Sequence, residues 1–198
     1  MRLVLGVLLA AVGIGFALRG RLSGLAALRI RWAPLALIGL LLQYLSPSRA
    51  GWPFALLMVS FLLLAVFSAV NLGLPGFALI LIGLSMNFLV IGLNHGMPVT
   101  QHALVVSGQQ STLNDLIHDG GAKHHLAGPS DRLLFLADVT PLAPPIGQIV
   151  SAGDIVSYAG VGVVVVAAMR RGRRTGPSPD ATLERIAVGA AGGDTADG

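Results

Sequence analysis

The stretch "LSMNFLVIGLNHGMPVT", Leu84–Thr100, begins inside a run apolar enough to dissolve in lipid, keeps two asparagines seven residues apart, and then breaks into His-Gly-Met-Pro. The run itself starts at Leu74. A helix rising about 1.5 Å per residue needs roughly 20 residues to cross a hydrocarbon core of about 30 Å, and 74–93 is such a segment. Positions seven apart on a helix drift by only about 20°, so Asn87 and Asn94 share one face, which Gly83 and Gly76 continue. The expectation is a packing stripe in which Asn87 bonds a neighbouring span at Gln43 and Gly83 allows close approach. The functional alternative is a polar pocket lined by Gln43, Asn87 and Asn94.

The ending reads as a helix stop. Asn94-His95-Gly96 stands where a chain leaving a helix adopts a left-handed residue, and Pro98 prevents an immediate restart. His95 would sit at the carboxyl end, where the helix dipole favours an imidazolium. It serves there as an interfacial cap or, in the functional reading, as a pH sensor.

Four further runs resemble the first: 3–18, 32–45, 52–70 and 155–169. Three of them are short for a crossing, but Arg19, Arg31 and Arg170 at their ends can snorkel to the interface. With 54% hydrophobic and 11% charged residues, and no acidic residue before Asp115, the chain has the composition of a membrane protein. The expected fold is all-α and polytopic, with about five transmembrane helices in 1–170.

Arginine sets the orientation. Arg19, Arg21, Arg29 and Arg31 lie between the first two runs, and Arg170, Arg171, Arg173 and Arg174 follow the last. Positive charge beside a span stays in the cytoplasm, so five crossings place the amino terminus outside and the carboxyl tail inside the cell membrane. The first run could be taken for a signal peptide, but Arg-Gly-Arg follows it and no Ala-x-Ala site is evident, so it is read as a retained helix. The net charge of +4 is spread over span ends and forms no single patch for nucleic acid.

This topology leaves 94–154 as a roughly 60-residue extracytoplasmic loop holding all five histidines, the only lysine and five of the nine acidic residues. Within it, "TQHALVVSG" and "STLNDLIHDGG" read as short helices with Thr100 and Ser111 as N-caps and Gly108 and Gly120 as terminators. "TPLAPPIG", from Thr140, must be extended or turning. "SAGD", Ser151–Asp154, has the spacing of a capping box and starts the last span. The tail 171–198 is rich in Gly, Ala, Pro and Asp and is expected to be disordered. Its basic start serves as a stop-transfer cluster or as a contact for anionic lipid.

"IGLLLQYL" from Ile38 and "IGLSMNFL" from Ile82 share one frame, which would make the first two spans a parallel repeat of the next two. Chance similarity between leucine-rich helices is the other reading.

"PGFALILIGLSMNFLVIGLNHGMPV", then "KHHL", "DVTPLAPP" and the "SAGD" helix start resemble the bacterial membrane proteins of domain-of-unknown-function family 5317. The resemblance covers 1–169 and implies a multi-pass membrane protein without an assigned activity or ligand. It draws attention to Asn87, Asn94, Gly96, Pro98, Lys123, His124, Asp138 and Asp154.

Catalytic readings fare poorly. "GLSM" lacks the second glycine of an intramembrane serine protease element, and "SAGD" lacks a second buried aspartate. Lys123 could deprotonate a serine, yet no serine element is evident, so it is read as solvated. No cysteine is present to supply thiol chemistry or a Cys-type metal site. Asp115, His118 and Asp119, followed by His124 and His125, have a spacing that zinc sites allow, although solvated polar residues remain the default. The spans carry no Asp, Glu, Lys or His for proton-coupled transport. No cofactor is implied. The leading expectation is a non-catalytic component of the bilayer that binds a lipid, a small molecule, or a partner protein, including a second copy of itself. An extracytoplasmic metal-dependent enzyme and a passive solute transporter are the alternatives.

Overall fold

The computed structural model describes residues 2–45, 53–118 and 123–174. It is mostly helical. The apolar runs become α1 (Arg2–Ala17), α3 (Ala33–Leu45), α4 (Pro53–Val70), α5 (Phe77–Asn94) and α8 (Ala152–Arg174). A single turn, α2 (Ser23–Ala26), lies between α1 and α3. The segments Phe77–Asn94 and Ala152–Gly172 are long and apolar enough to cross a membrane, while α1, α3 and α4 are shorter apolar helices. Trp52, the expected start of the third run, lies outside the described residues.

Packing arranges the helices in a row, with neighbours in the order α3, α4, α5, α8, α1, and α2 lying against α8. The α5–α8 contact is the tightest. Gly76 and Gly83 on α5 meet Gly160 and Gly153 on α8, so two glycine pairs spaced seven residues apart bring antiparallel backbones together. A Cβ at Gly83 would strike the Gly153 carbonyl and Ser157, and one at Gly76 the Gly160 carbonyl. Of the expected packing stripe, Gly76, Gly83 and Asn87 meet α8, whereas Asn94 pairs with Arg132.

The proposed repeat finds no parallel in the packing. The frames at Ile38 and Ile82 fall on α3 and α5, both of which flank α4, whereas α1 packs on α8.

All helices share one of two ends. At the first, Arg2 Nη1 donates to the Pro145 carbonyl at 2.7 Å, and Lys123 Nζ donates to the Gln43 carbonyl in the last turn of α3 at 2.9 Å. The second end is tied by the Arg21 N–H on the Met169 carbonyl. Asn71 also works there, accepting from Arg31 N–H and donating to Arg31 C=O, both at 2.8 Å. Arg19, Arg21, Arg29, Arg31, Arg170 and Arg171 thus gather opposite the polar segment 94–154.

That segment is a folded cap and corrects the all-α expectation. β1 (Met97–Val99) pairs in parallel with β2 (His124–Leu126), and β3 (Thr140–Leu142) pairs antiparallel with β4 (Gln148–Val150). Strands of three residues are too short for alternation to betray them in sequence. Two short helices, α6 (Gln101–Val106) and α7 (Gln110–His118), complete the cap. Thr100 caps α6 as expected, accepting from Ala103 N–H at 3.2 Å. α7 starts before Ser111, which lies in its first turn and does not cap it; Gly120 falls outside the described residues. The cap has its own core of Val99, Leu104 and Leu113. A second cluster joins Met97 and Ala137 to Leu57, Phe61, Val90 and Ile91, fixing the cap onto α4 and α5.

The last helix also departs from expectation, running through Arg174 where a disordered tail was expected from residue 171. Gly172 is the reason: it is buried, and a Cβ there would lie 2.6 Å from Gly24 N, so it seats α2 against the final turns of α8. Residues 175–198 lie outside the described residues.

Replacing Gly83 with Val should destabilise the protein by about 1–3 kcal/mol or prevent folding, because two backbones must separate. Gly6→Ala, where nothing lies within 4 Å of the new Cβ, should be neutral. Thermal unfolding in mild detergent compares the two.

Candidate functional site

The buried polar groups begin where α5 meets α8. Ser151 and Asp154 form the expected capping box: Asp154 N–H donates to Ser151 Oγ at 3.0 Å, and Ser151 N–H to Asp154 Oδ2 at 3.2 Å. Asn87 closes this box into a ring. Its Nδ2 donates to Asp154 Oδ1 at 2.8 Å, and its Oδ1 accepts from the Ser151 hydroxyl at 2.9 Å. Asn87 is 5% exposed and Ser151 fully buried, so these bonds form away from water. Gly153 makes room for them, since a Cβ there would collide with Asn87 Oδ1.

The expected Asn87–Gln43 bond is therefore corrected: Asn87 spends its amide on α8, and Gln43 contributes its backbone carbonyl to Lys123. Lys123 is likewise engaged, and only partly solvated. Burial lowers the pKa of its half-buried ammonium from the ordinary lysine value, and the carbonyl end of α3 gives the charge a partner.

Asn94 is also engaged. Its amide accepts from Arg132 N–H at 2.8 Å and donates to Arg132 C=O at 2.9 Å, standing in for a strand residue. His95 takes the left-handed position at φ 56°, its N–H returning to Ile91 C=O, and its ring stacks on Phe54 at 5.4 Å. Gly96 follows at φ 157°, where a Cβ would lie 3.1 Å from His125 Nδ1. Pro98 is fully buried in β1, and its carbonyl accepts from Asp138 N–H at 3.1 Å, so its missing N–H goes unused. None of these residues is left as a free polar face.

His124 and His125 are adjacent on a strand and so point to opposite sides. His125 Nε2 meets Asp131 Oδ1 at 2.9 Å, while Asp131 Oδ2 accepts from Gly128 N–H at 2.7 Å. Burial pushes the Asp131 carboxyl up, but the Gly128 N–H and the His125 ring outweigh it and hold its pKa below the usual value. His124 Nε2 faces Asp138 Oδ2 at 3.4 Å. His118 bonds back to the Asn114 carbonyl at 2.8 Å, on exposed α7 with Asp115. Among the described residues no three His, Asp or Glu side chains are grouped to hold a metal ion. Asp115, His118, His124 and His125 do not assemble, and Asp119 lies outside the described residues.

Asp138 stands out. It is 8% exposed, and its Oδ1 is buried without a hydrogen-bond partner. It lines a cavity of about 270 Å³ in the cap together with His124, Gln109, Thr112 and Gln148, and with apolar walls such as Leu104. The Asp138 carboxylate beside the His124 ring puts an acceptor on the chamber wall, which a small solute bearing N–H or O–H complements. Asp138 also lies in Coulombic reach of Asp154, so Asp154 has the acidic neighbour that the sequence did not reveal. Both Asp154 oxygens accept hydrogen bonds within the ring. Asn71, Asp131 and Gln148 escaped notice in the sequence. Gln148 accepts from Leu3 N–H at 3.0 Å, and none of the three stands in a motif that would signal it.

The sequence profile of a family of unknown function, DUF5317, matches residues 26–166. No curated protein and no solved structure matches the chain.

Two measurements probe this geometry. Asn87→Leu strands the Ser151 hydroxyl and one Asp154 oxygen and should cost about 1–3 kcal/mol per orphaned group, with strong coupling to Ser151→Ala in a double-mutant cycle. The Asp131 carboxyl, lowered in the folded state, adds stability that is complete above its unfolded pKa of about 3.9 and is lost as pH falls through the folded value. Asp131→Asn should flatten the acid limb of the stability profile below about pH 4.

Proposed function

The chain belongs to the family of unknown function DUF5317, which supplies no activity, and from the geometry we propose a non-catalytic, multi-pass protein of the cell membrane whose extracytoplasmic cap binds a small donor-bearing solute. The observation that carries the binding is the Asp138 carboxylate, which lines the cap chamber with one oxygen facing His124 and the other without a hydrogen-bond partner. A small primary amine or polyol matches it, since either brings hydrogen to a carboxylate, and an amine also brings opposite charge.

In this reading α1, α3, α4, α5 and α8 each cross the membrane, with the amino terminus outside. Support comes from the arginines at one end of the row and the cap at the other, the asymmetry that retains positive charge in the cytoplasm. Exposed apolar side chains along the row, among them Leu9, Leu37, Leu40 and Leu62, suit a hydrocarbon surround. The short helices α1 and α3 reach the interface through flanking arginines.

The absence of cysteine makes orientation simple to test. A membrane-impermeant maleimide should label Gln110→Cys in intact cells and Arg171→Cys only after permeabilisation; the reverse pattern overturns the topology. For the chamber, ethanolamine is the probe. At a hundredfold excess over its Kd it should add about 2.7 kcal/mol to the unfolding free energy, acetate should add none, and Asp138→Asn should abolish the gain. Stabilisation that survives Asp138→Asn, or that neither ethanolamine nor glycerol produces, removes the reading.

A further inference from the structure

The α1–α8 contact is closed along one line and open along another. Near the arginine end Gly15 and Gly20 press on Met169, with a Cβ at Gly20 placed 2.8 Å from its side chain. Alongside runs a groove of about 590 Å³, walled by Ala11 and Ile14 of α1 and by Tyr158, Gly162, Val166 and Arg170 of α8. Gly162 has nothing within 4 Å of its Cβ position. The small residues leave space that the helices themselves do not fill.

The groove has a direction and a length. From Tyr158 to Arg170 it covers about 18 Å of helix, close to the roughly 15 Å depth of one leaflet's hydrocarbon. Its walls are apolar until the end, where Arg170 stands exposed and in no ion pair among the described residues, whose ion pairs are His124–Asp138 and His125–Asp131. A packed helix would use a seam along the whole of α8, whereas this groove stops at half depth and finishes in a cation. A guanidinium matches a phosphate by its paired donors and its fixed charge.

We propose that the α1–α8 groove holds an acyl chain of an anionic phospholipid from the cytoplasmic leaflet, with its phosphate on Arg170. This rests on the membrane placement proposed above. The lipid would fill the gap beside Gly162 and tie the end helix α1 to α8.

Native mass spectrometry of the full chain, released from mild detergent after adding phosphatidylglycerol or phosphatidylcholine with identical chains, tests the assignment. One phosphatidylglycerol should be retained about fivefold better than phosphatidylcholine, the factor expected for one arginine at an anionic surface. Arg170→Gln should erase that preference, phosphatidylglycerol losing more than phosphatidylcholine, whose choline already offsets its phosphate charge. Gly162→Phe should reduce retention of both lipids. Equal retention of the two lipids by the unaltered protein overturns the proposal. So does a dimer that Gly162→Phe dissociates without any effect of lipid, which would assign the groove to a second copy. If Gly162→Phe does not fold, Arg170→Gln still decides, because a preference that survives it refutes the phosphate contact. Cysteine labelling separates the failures: correct labelling without lipid selectivity sinks the groove alone, and reversed labelling sinks the membrane placement itself.

Discussion

The ring of Asn87, Ser151 and Asp154 is the constraint on which the rest of the structure depends. A carboxamide within an apolar helix is costly unless it is paired, and here it pairs with the two side chains that cap α8. The same bonds therefore start one helix and fix its register against another. Register matters because the glycine pairs Gly76–Gly160 and Gly83–Gly153 tolerate no Cβ at the crossing. Glycine gives proximity and the ring gives position. Since α8 also carries α1 and α2, and α5 carries α4 and the cap, an error at this contact would reach every other element.

Asparagine performs a second task at both ends of the row. Asn71 pairs with both backbone groups of Arg31, and Asn94 does the same with Arg132. A side-chain amide can set its oxygen and one N–H in the geometry of a peptide group, so it closes a backbone bridge where no strand is available, while Nδ2 also donates to the carbonyl four residues back. The cap is then held by main-chain bonds to β1, by Asn94, and by Lys123 on the end of α3. Such anchoring leaves the interior of the cap free to hold a chamber, with Asp138 on one wall.

Several elements were legible because their chemistry is local. The helix stop at Asn94–Pro98, the N-cap at Thr100 and the capping box at Ser151–Asp154 depend on residues within a few positions of one another. Gly76, Gly83 and Asn87 declared a packing face by their spacing alone. The partners of that face were not legible: Gln43 and Ser151 are equally plausible companions for a buried amide until the helix order is known. The metal candidates failed for a related reason, since spacing along the chain says nothing of the strand that turns His124 and His125 to opposite sides. Asp138 was noticed only through a family resemblance, and the chamber it lines is built from β1, α7 and β4 residues that carry no shared motif.

By itself the sequence determined that this is a helical chain of apolar segments, that its arginines lie at segment ends, and that its histidines and carboxylates concentrate in one polar stretch. Those properties are sums over composition and short-range spacing, and they hold whichever helices become neighbours. Only the tertiary structure decided that α5 pairs with α8, that the polar stretch folds into a stranded cap, and that Gly172 belongs to a helix. Each of these is a contact between residues distant in the chain, set by which close approaches glycine permits and by which buried polar groups find partners. The candidate site belongs to the second kind, which is why its residues could be named from the sequence while their roles could not.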